Sequence, residues 1–254
     1  MLGGSRSRYC SSSAASAPLR LNVFDVNQVS IIIPVLNEAL GIQQALEALL
    51  PLRARGHEVI VVDGGSADDT LQRALPLADR VLSAPRGRAS QMNAGAQLAG
   101  GDILLFLHVD THLPEAADRL ILEGLQGATE QWGRFDVRIA GAHPLLRAVA
   151  ATMNLRSRLS GICTGDQAIF VRRELFRHCD GFPDLALMED IALCRMLRAI
   201  SPPLCIAQPA LTSARRWEAR GVLRTVVLMW WLRLRYFLGA SPSRLARIYD
   251  AERG

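Results

Sequence analysis

Four sets of residues have the types and spacing to do chemistry. His108-Val109-Asp110 places an imidazole and a carboxylate two positions apart. On a strand, side chains at i and i+2 point the same way, so the pair suits one divalent cation with open positions for diphosphate oxygens. The plainer alternative is a hydrogen-bonded histidine beside a turn aspartate that caps a helix starting at Pro114. Asp63 closes an apolar run and can accept from a base N–H or a ribose hydroxyl, or only from its own Asp-Gly-Gly turn. Glu189 and Asp190 are neighbours, and helical neighbours lie about 100° apart. One carboxylate can enter a cleft while the other caps, or both can simply stabilise a helix N-terminus. Arg215-Arg216-Trp217 offers two guanidiniums for a diphosphate and an indole face for a sugar ring, or a solvated basic helix start with the indole packed inward.

The elements that must position these residues alternate. Ser30–Val35, Glu58–Val62 and Ile103–Leu107 are short apolar runs that predict buried strands, and Asp79–Ser83 reads as a further short strand. Between them, Asn37 is expected to cap a helix carrying Ile42, Leu46 and Leu49. Ser66 with Asp69 is expected to open a second helix that stops near Pro76, and a third runs from Arg88 to Ala99, ending at Gly100-Gly101. Such alternation with short connections implies a mostly parallel, doubly wound α/β sheet, whose ligands bind outside the carboxyl ends of the strands. That edge collects Asn37 and Glu38, then Asp63, then His108 and Asp110. The second half reads as strands over 134–139 and 167–172. Helices are expected over 144–159, 188–200 and 221–238, followed by a short helix beyond Gly239 and Pro242.

At 254 residues, half of them hydrophobic, the chain can bury a substantial core. The net charge is +5 and every basic side chain is arginine. This balance fits nucleotide diphosphates, nucleic acid or an anionic membrane surface without choosing among them. Only net charge speaks for nucleic acid, which is not expected as a partner. The five scattered cysteines contain no C-x-x-C, which argues against a disulfide framework and for a reducing, cytoplasmic location. Residues 1–28 read as a disordered tail, 29–220 as the main domain and 221–254 as a helical extension packed on it. The helix over 222–238 carries Trp230, Trp231, Tyr236 and Phe237 among arginines. It is expected to be a core helix with snorkelling arginines; the alternative is peripheral contact with the inner face of a membrane.

The order of motifs resembles family 2 glycosyltransferases, which have the Rossmann-like GT-A fold. The motifs are P-V-L-N-E (Pro34–Glu38), V-V-D-G-G-S-A-D-D-T (Val61–Thr70), an acidic metal motif, E-D and R-W. The resemblance runs from about Val29 to Trp217. It implies an inverting transfer from a nucleoside diphosphate sugar, most often UDP-linked, to a hydroxyl acceptor. Pro34 and Glu38 would border the nucleotide and Asp63 would contact the base. Asp110 would ligate Mg²⁺ or Mn²⁺, and Asp190 would be the general base. Arg216 and Trp217 would lie near the leaving group and acceptor. Three positions depart from the pattern. The usual D-x-D is His108-Val109-Asp110, which brings His108 into the expected metal and donor site and makes Mn²⁺ plausible. The usual A-R-N-x-G is Gln91–Gly95, leaving Arg86 or Arg88 to supply the charge. Ser213 replaces the glutamine of Q-x-x-R-W. The H-x-D form is similar to that of a bacterial subgroup assigned to arsenosugar biosynthesis. The rival readings are a non-catalytic nucleotide-sugar-binding protein and a sugar-phosphate nucleotidyltransferase, although the Gly-rich loop of the latter is absent after Ile31–Val35.

Overall fold

The computed structural model describes residues 28–251, without the side chains of Arg216, Arg220 and Asp250; the expected tail over 1–28 lies, but for Gln28, outside the described residues. Among the described residues, eight strands form one sheet. They are β1 (Val29–Val35), β2 (Glu58–Asp63), β3 (Arg80–Ser83), β4 (Ile103–Phe106), β5 (Thr111–His112), β6 (Trp132–Ile139), β7 (Ile169–Arg172) and β8 (Leu204–Thr212). Their order is β3-β2-β1-β4-β7-β6-β8-β5. The half made of β3, β2, β1 and β4 is parallel throughout, and β7 joins β4 and β6 antiparallel. The helices are α1 (Ile42–Glu47), α2 (Leu50–Ala54), α3 (Thr70–Ala74), α4 (Arg88–Leu98), α5 (Ala117–Leu125), α6 (Pro144–Ser160), α7 (Arg173–His178), α8 (Glu189–Ile200), α9 (Arg215–Arg220), α10 (Val222–Phe237) and α11 (Pro242–Ala251).

Strand alternation divides the core between the two faces of the sheet. Ile32, Ile60, Val62, Leu104 and Phe106 face α4 and α8, with Leu232 of α10 and Leu245 of α11 in the same cluster. Ile31, Ile33, Val59, Val61 and Leu105 face α1, α2 and α5 on the other side. Both faces are covered, so these strands are apolar throughout rather than alternating. The chain runs outward from β1 to β3 and returns to β4 on the far side of β1, which opens a crevice at the ends of β1 and β4.

Several local expectations are corrected. Asn37 does not cap α1, which begins after Gly41. It takes a left-handed conformation, φ +54. Its Oδ1 accepts from the backbone N–H of Ala67, and its own N–H donates to Ser66 Oγ. Ser66 therefore opens no helix; α3 starts at Thr70, whose N–H donates to Asp68. Both residues instead knit the loop after β1 to the loop after β2. His108 and Asp110 are not strand neighbours but lie in a turn closed by the Thr111 N–H donating to the His108 carbonyl. α10 is not a core helix. Of its residues Val222, Thr225 and Leu232 are buried, while Leu223, Val227, Trp230, Trp231, Leu234 and Phe237 are exposed. β8, β5 and α7 were not anticipated.

α4 reaches the sheet closely because Gly95 has no side chain. A Cβ there would stand 2.5 Å from Ile32 Cγ2 and 3.0 Å from Val62 Cγ2. Gly95→Val should destabilise the protein by roughly 1–3 kcal/mol through overpacking, read as a lower midpoint in urea unfolding; an unchanged midpoint would show that α4 can lift without cost.

Candidate active site

The crevice has two adjoining parts. The polar part, about 390 Å³, is lined among others by Pro34, Glu38, Arg88, His108 and Asp110. The second part, about 530 Å³, is mostly apolar and is lined by Arg88, His108, Asp190 and Trp217 together with residues of α6 and α10. Arg88, His108, Leu187 and Tyr249 line both parts. The structure therefore brings together residues separated by more than half the chain.

The wall at the ends of β1 and β2 is built by polar groups satisfying strand-end carbonyls. Gln91 Nε2 donates to the carbonyls of Val35 at 2.9 Å and Val62 at 2.8 Å. That is the role of the glutamine standing in the Gln91–Gly95 motif. Asp63 is buried, and its carboxylate accepts from the N–H groups of Gly65 and Ser66 and from Ser66 Oγ. It shapes the loop behind the cleft and is not among the residues lining either part. Glu38 lies on the cleft wall and pairs with Arg215 at 3.3 Å, joining the β1 edge to α9.

Asp190 lines the apolar part. Met188 enters α8 from a left-handed conformation, φ +70, which non-glycine residues rarely adopt. Beyond it, Glu189 is buried and pairs with Arg88 Nε at 3.0 Å. Asp190 accepts from the N–H of Ile191 at 2.7 Å and from the N–H of Gly165 at 3.1 Å. Burial first, and the neighbouring Glu189 charge second, push the Asp190 pKa up to about 6, against the pull of Arg88 and the two N–H groups. Arg88 loses hydration on burial, but the Glu189, Asp190 and Asp166 carboxylates outweigh that loss and hold its pKa above the ordinary value.

His108 turns toward the 164–167 segment. Its Nδ1 lies 3.1 Å from Asp166 Oδ1. A Cβ on Gly165 would fall 2.2 Å from its Nε2, so that ring edge lies against the Gly165 backbone. Both nitrogens thus face the turn that holds Asp190, while Asp110, half-buried, lines the polar part. Among the described residues no three His, Cys, Asp or Glu side chains gather to hold a metal by themselves. Cations of the Mg²⁺ type are commonly held by one or two carboxylates with substrate phosphates completing the shell, and Asp110 on a polar wall fits that pattern. Arg216 cannot be placed, since its side chain lies outside the described residues; Trp217 is half-buried on the apolar wall.

Sequence reasoning missed Gly165, Asp166, Arg156 and Tyr249. The segment Thr164-Gly165-Asp166-Gln167 carried a turn signal that could have drawn attention. Nothing in the sequence connects Tyr249 of the last helix to this cleft.

Residues 30–141 match Glycosyl transferase family 2. The family 2 segment covers β1 through β6, and so the crevice edge with Glu38, Asp63 and Asp110. A PGL/p-HBAD biosynthesis glycosyltransferase of Mycobacterium bovis is 39% identical over 94 residues, spanning 34% of this chain and 37% of that protein. The chain thus aligns with little over a third of that relative's length. Staphylococcus aureus TarS 1-349, solved in complex with UDP-GlcNAc, superposes with a TM-score of 0.61 at 18% identity over 73% of this chain and 58% of that one. The mannosyltransferase PcManGT of Pyrobaculum calidifontis, solved with GDP-Man and Mn²⁺, gives 0.58 at 23% identity over 88% and 68%. The fold is GT-A, as the sequence motifs implied.

The raised Asp190 pKa links the site to stability. Its folded-state value of about 6 lies above the ordinary 3.8. Protonation therefore stabilises the fold at low pH, and this contribution is lost as pH rises through about 6. Asp190→Asn should raise the melting temperature above the parent's at pH 7.5 and lose that advantage near pH 4. A lower melting temperature at pH 7.5 would mean that the charge is fully compensated in the fold.

Proposed function

We propose that the chain transfers a glycosyl group from a nucleoside diphosphate sugar, UDP-linked, to a hydroxyl acceptor in one inverting displacement. The observation that carries this reading is one crevice that presents Asp110 in its polar part and Asp190 in its apolar part, joined by Arg88 and His108. The nucleotide sugars held by TarS and PcManGT support the donor class. Pro34 and Glu38 border the nucleotide, and Asp63 holds the loop behind it. A divalent cation, Mn²⁺ or Mg²⁺, held by Asp110 would neutralise charge on the departing diphosphate. His108, through its contacts with Gly165 and Asp166, keeps the Asp190 side of the cleft in register.

The acceptor oxygen bonds to the anomeric carbon as the bond from that carbon to the diphosphate oxygen breaks. The electron pair leaves with the diphosphate, and the acceptor proton passes to the Asp190 carboxylate. With a pKa near 6, Asp190 is mostly ionised at neutral pH yet more basic than an ordinary aspartate. Arg88 stays charged beside it, and Trp217 offers an apolar face toward the acceptor. The His108-x-Asp110 form of the metal motif supports placement in the bacterial subgroup assigned to arsenosugar biosynthesis.

Asp190→Asn should lower turnover by about 10²–10⁴-fold with donor affinity retained, and Asp110→Ala should abolish Mn²⁺-dependent UDP binding in calorimetry. A non-catalytic binding protein would show no release of UDP from its donor, and a nucleotidyltransferase would release pyrophosphate instead; either result would displace this reading.

We also propose that the helix over 222–238 touches the inner face of a membrane. No helix among the described residues is long and apolar enough to cross one. What favours surface contact is the apolar exposed face of α10, with Leu223, Trp230, Leu234 and Phe237, beside Arg235, which lies 5.8 Å from the Trp231 ring. The chain should sediment with anionic liposomes at low salt and be released at high salt; no sedimentation would remove this contact.

A further inference from the structure

The apolar part of the crevice is walled by two helix faces. α6 contributes Leu145, Ala148, Val149, Thr152, Met153 and Arg156, a stripe at helical spacing. α10 faces it with Val222, Val226, Met229, Trp230 and others at the same spacing. Between them lie about 530 Å³, a volume typical of a small-molecule site. Leu145, Leu223, Trp230 and Leu234 are exposed at the mouth, and Asp190 lies within.

Arg156 breaks this apolar stripe. Its Nε and Nη2 are buried and have no hydrogen-bond partner. Burial lowers its pKa, and the Asp190 charge works the other way. A buried guanidinium with unfilled donors is costly, so such a group is expected where a ligand completes it. The proposed donor would set its phosphates in the polar part beside Asp110, which leaves Arg156, a residue of the apolar part alone, for a different anion.

We infer that this chamber is the acceptor site and takes an amphipathic alcohol. The apolar body lies between α6 and α10, and an anionic oxygen group, phosphate or carboxylate, meets Arg156. The hydroxyl is thereby presented to Asp190. This assignment rests on the glycosyl-transfer reading above.

The test is calorimetry with three probes of one chain length: octyl phosphate, octanoate and 1-octanol. At least one anion should bind the parent protein roughly 10- to 100-fold more tightly than the alcohol, the range expected for hydrogen bonds to a charged group. Arg156→Gln should erase that preference while leaving alcohol binding unchanged. The stronger of the two anions identifies the group. Ala148→Trp, which narrows the chamber from the α6 side, should weaken all three probes alike. UDP with Mn²⁺ should bind both variants as it binds the parent, which reports separately on folding and on the donor site. Equal binding of anions and alcohol to the parent, an anion preference that survives Arg156→Gln, or full probe affinity in Ala148→Trp would overturn the inference. Loss of UDP binding by the parent would instead overturn the donor reading.

Discussion

A carboxylate taken out of water needs a fixed set of partners, and three of those around Asp190 are themselves held in place. Two are backbone N–H groups, from Gly165 and Ile191, and the third is the nearby charge of Arg88. None can move far. Ile191 is locked in α8, Gly165 is pressed against His108, and Arg88 is engaged by Glu189. Met188 at φ +70 and Ala168 at φ +46 mark where the chain departs from its preferred conformations close to this arrangement. Strain of this kind persists only where surrounding structure over-determines it. Here the surroundings are β4, which delivers His108, and β7, which follows Ala168.

That single site also explains why two unlike spaces adjoin. The polar space collects the ends of β1 and β4, where short loops expose backbone and acidic side chains. The apolar space is made by helices, whose faces repeat apolar residues every three or four positions. Arg88, at the first turn of α4, stands on the border because Gly95 lets that helix lie close against β1 and β2. One face of α4 thus supports the sheet while its N-terminal residue serves both spaces.

β1, β2 and β4 were readable because both faces of the sheet are covered there, which makes their runs predominantly apolar, whereas β3 lies at the edge and is partly exposed. The crevice edge followed from topology, and so Glu38, His108 and Asp110 were found. Asn37 and Ser66 misled because each satisfies a partner about thirty residues away rather than the helix beside it. β8 was hidden by Pro209 and by a bulge that shifts its register against β6 between Phe135 and Asp136. α10 misled because its apolar residues encircle the helix, and composition does not say which of them meets a neighbour. Arg156 and Tyr249 had no local signal, since their importance lies in packing between elements far apart in the chain.

The claim that matters most is that donor and base share one crevice. A crystal structure of the protein with UDP and Mn²⁺ tests it directly. The account predicts the uracil and ribose beside Pro34 and Glu38, the ion on Asp110, and the terminal phosphate pointing across Arg88 toward Asp190. Nucleotide bound anywhere else on the sheet, or a terminal phosphate turned away from Asp190, would contradict it.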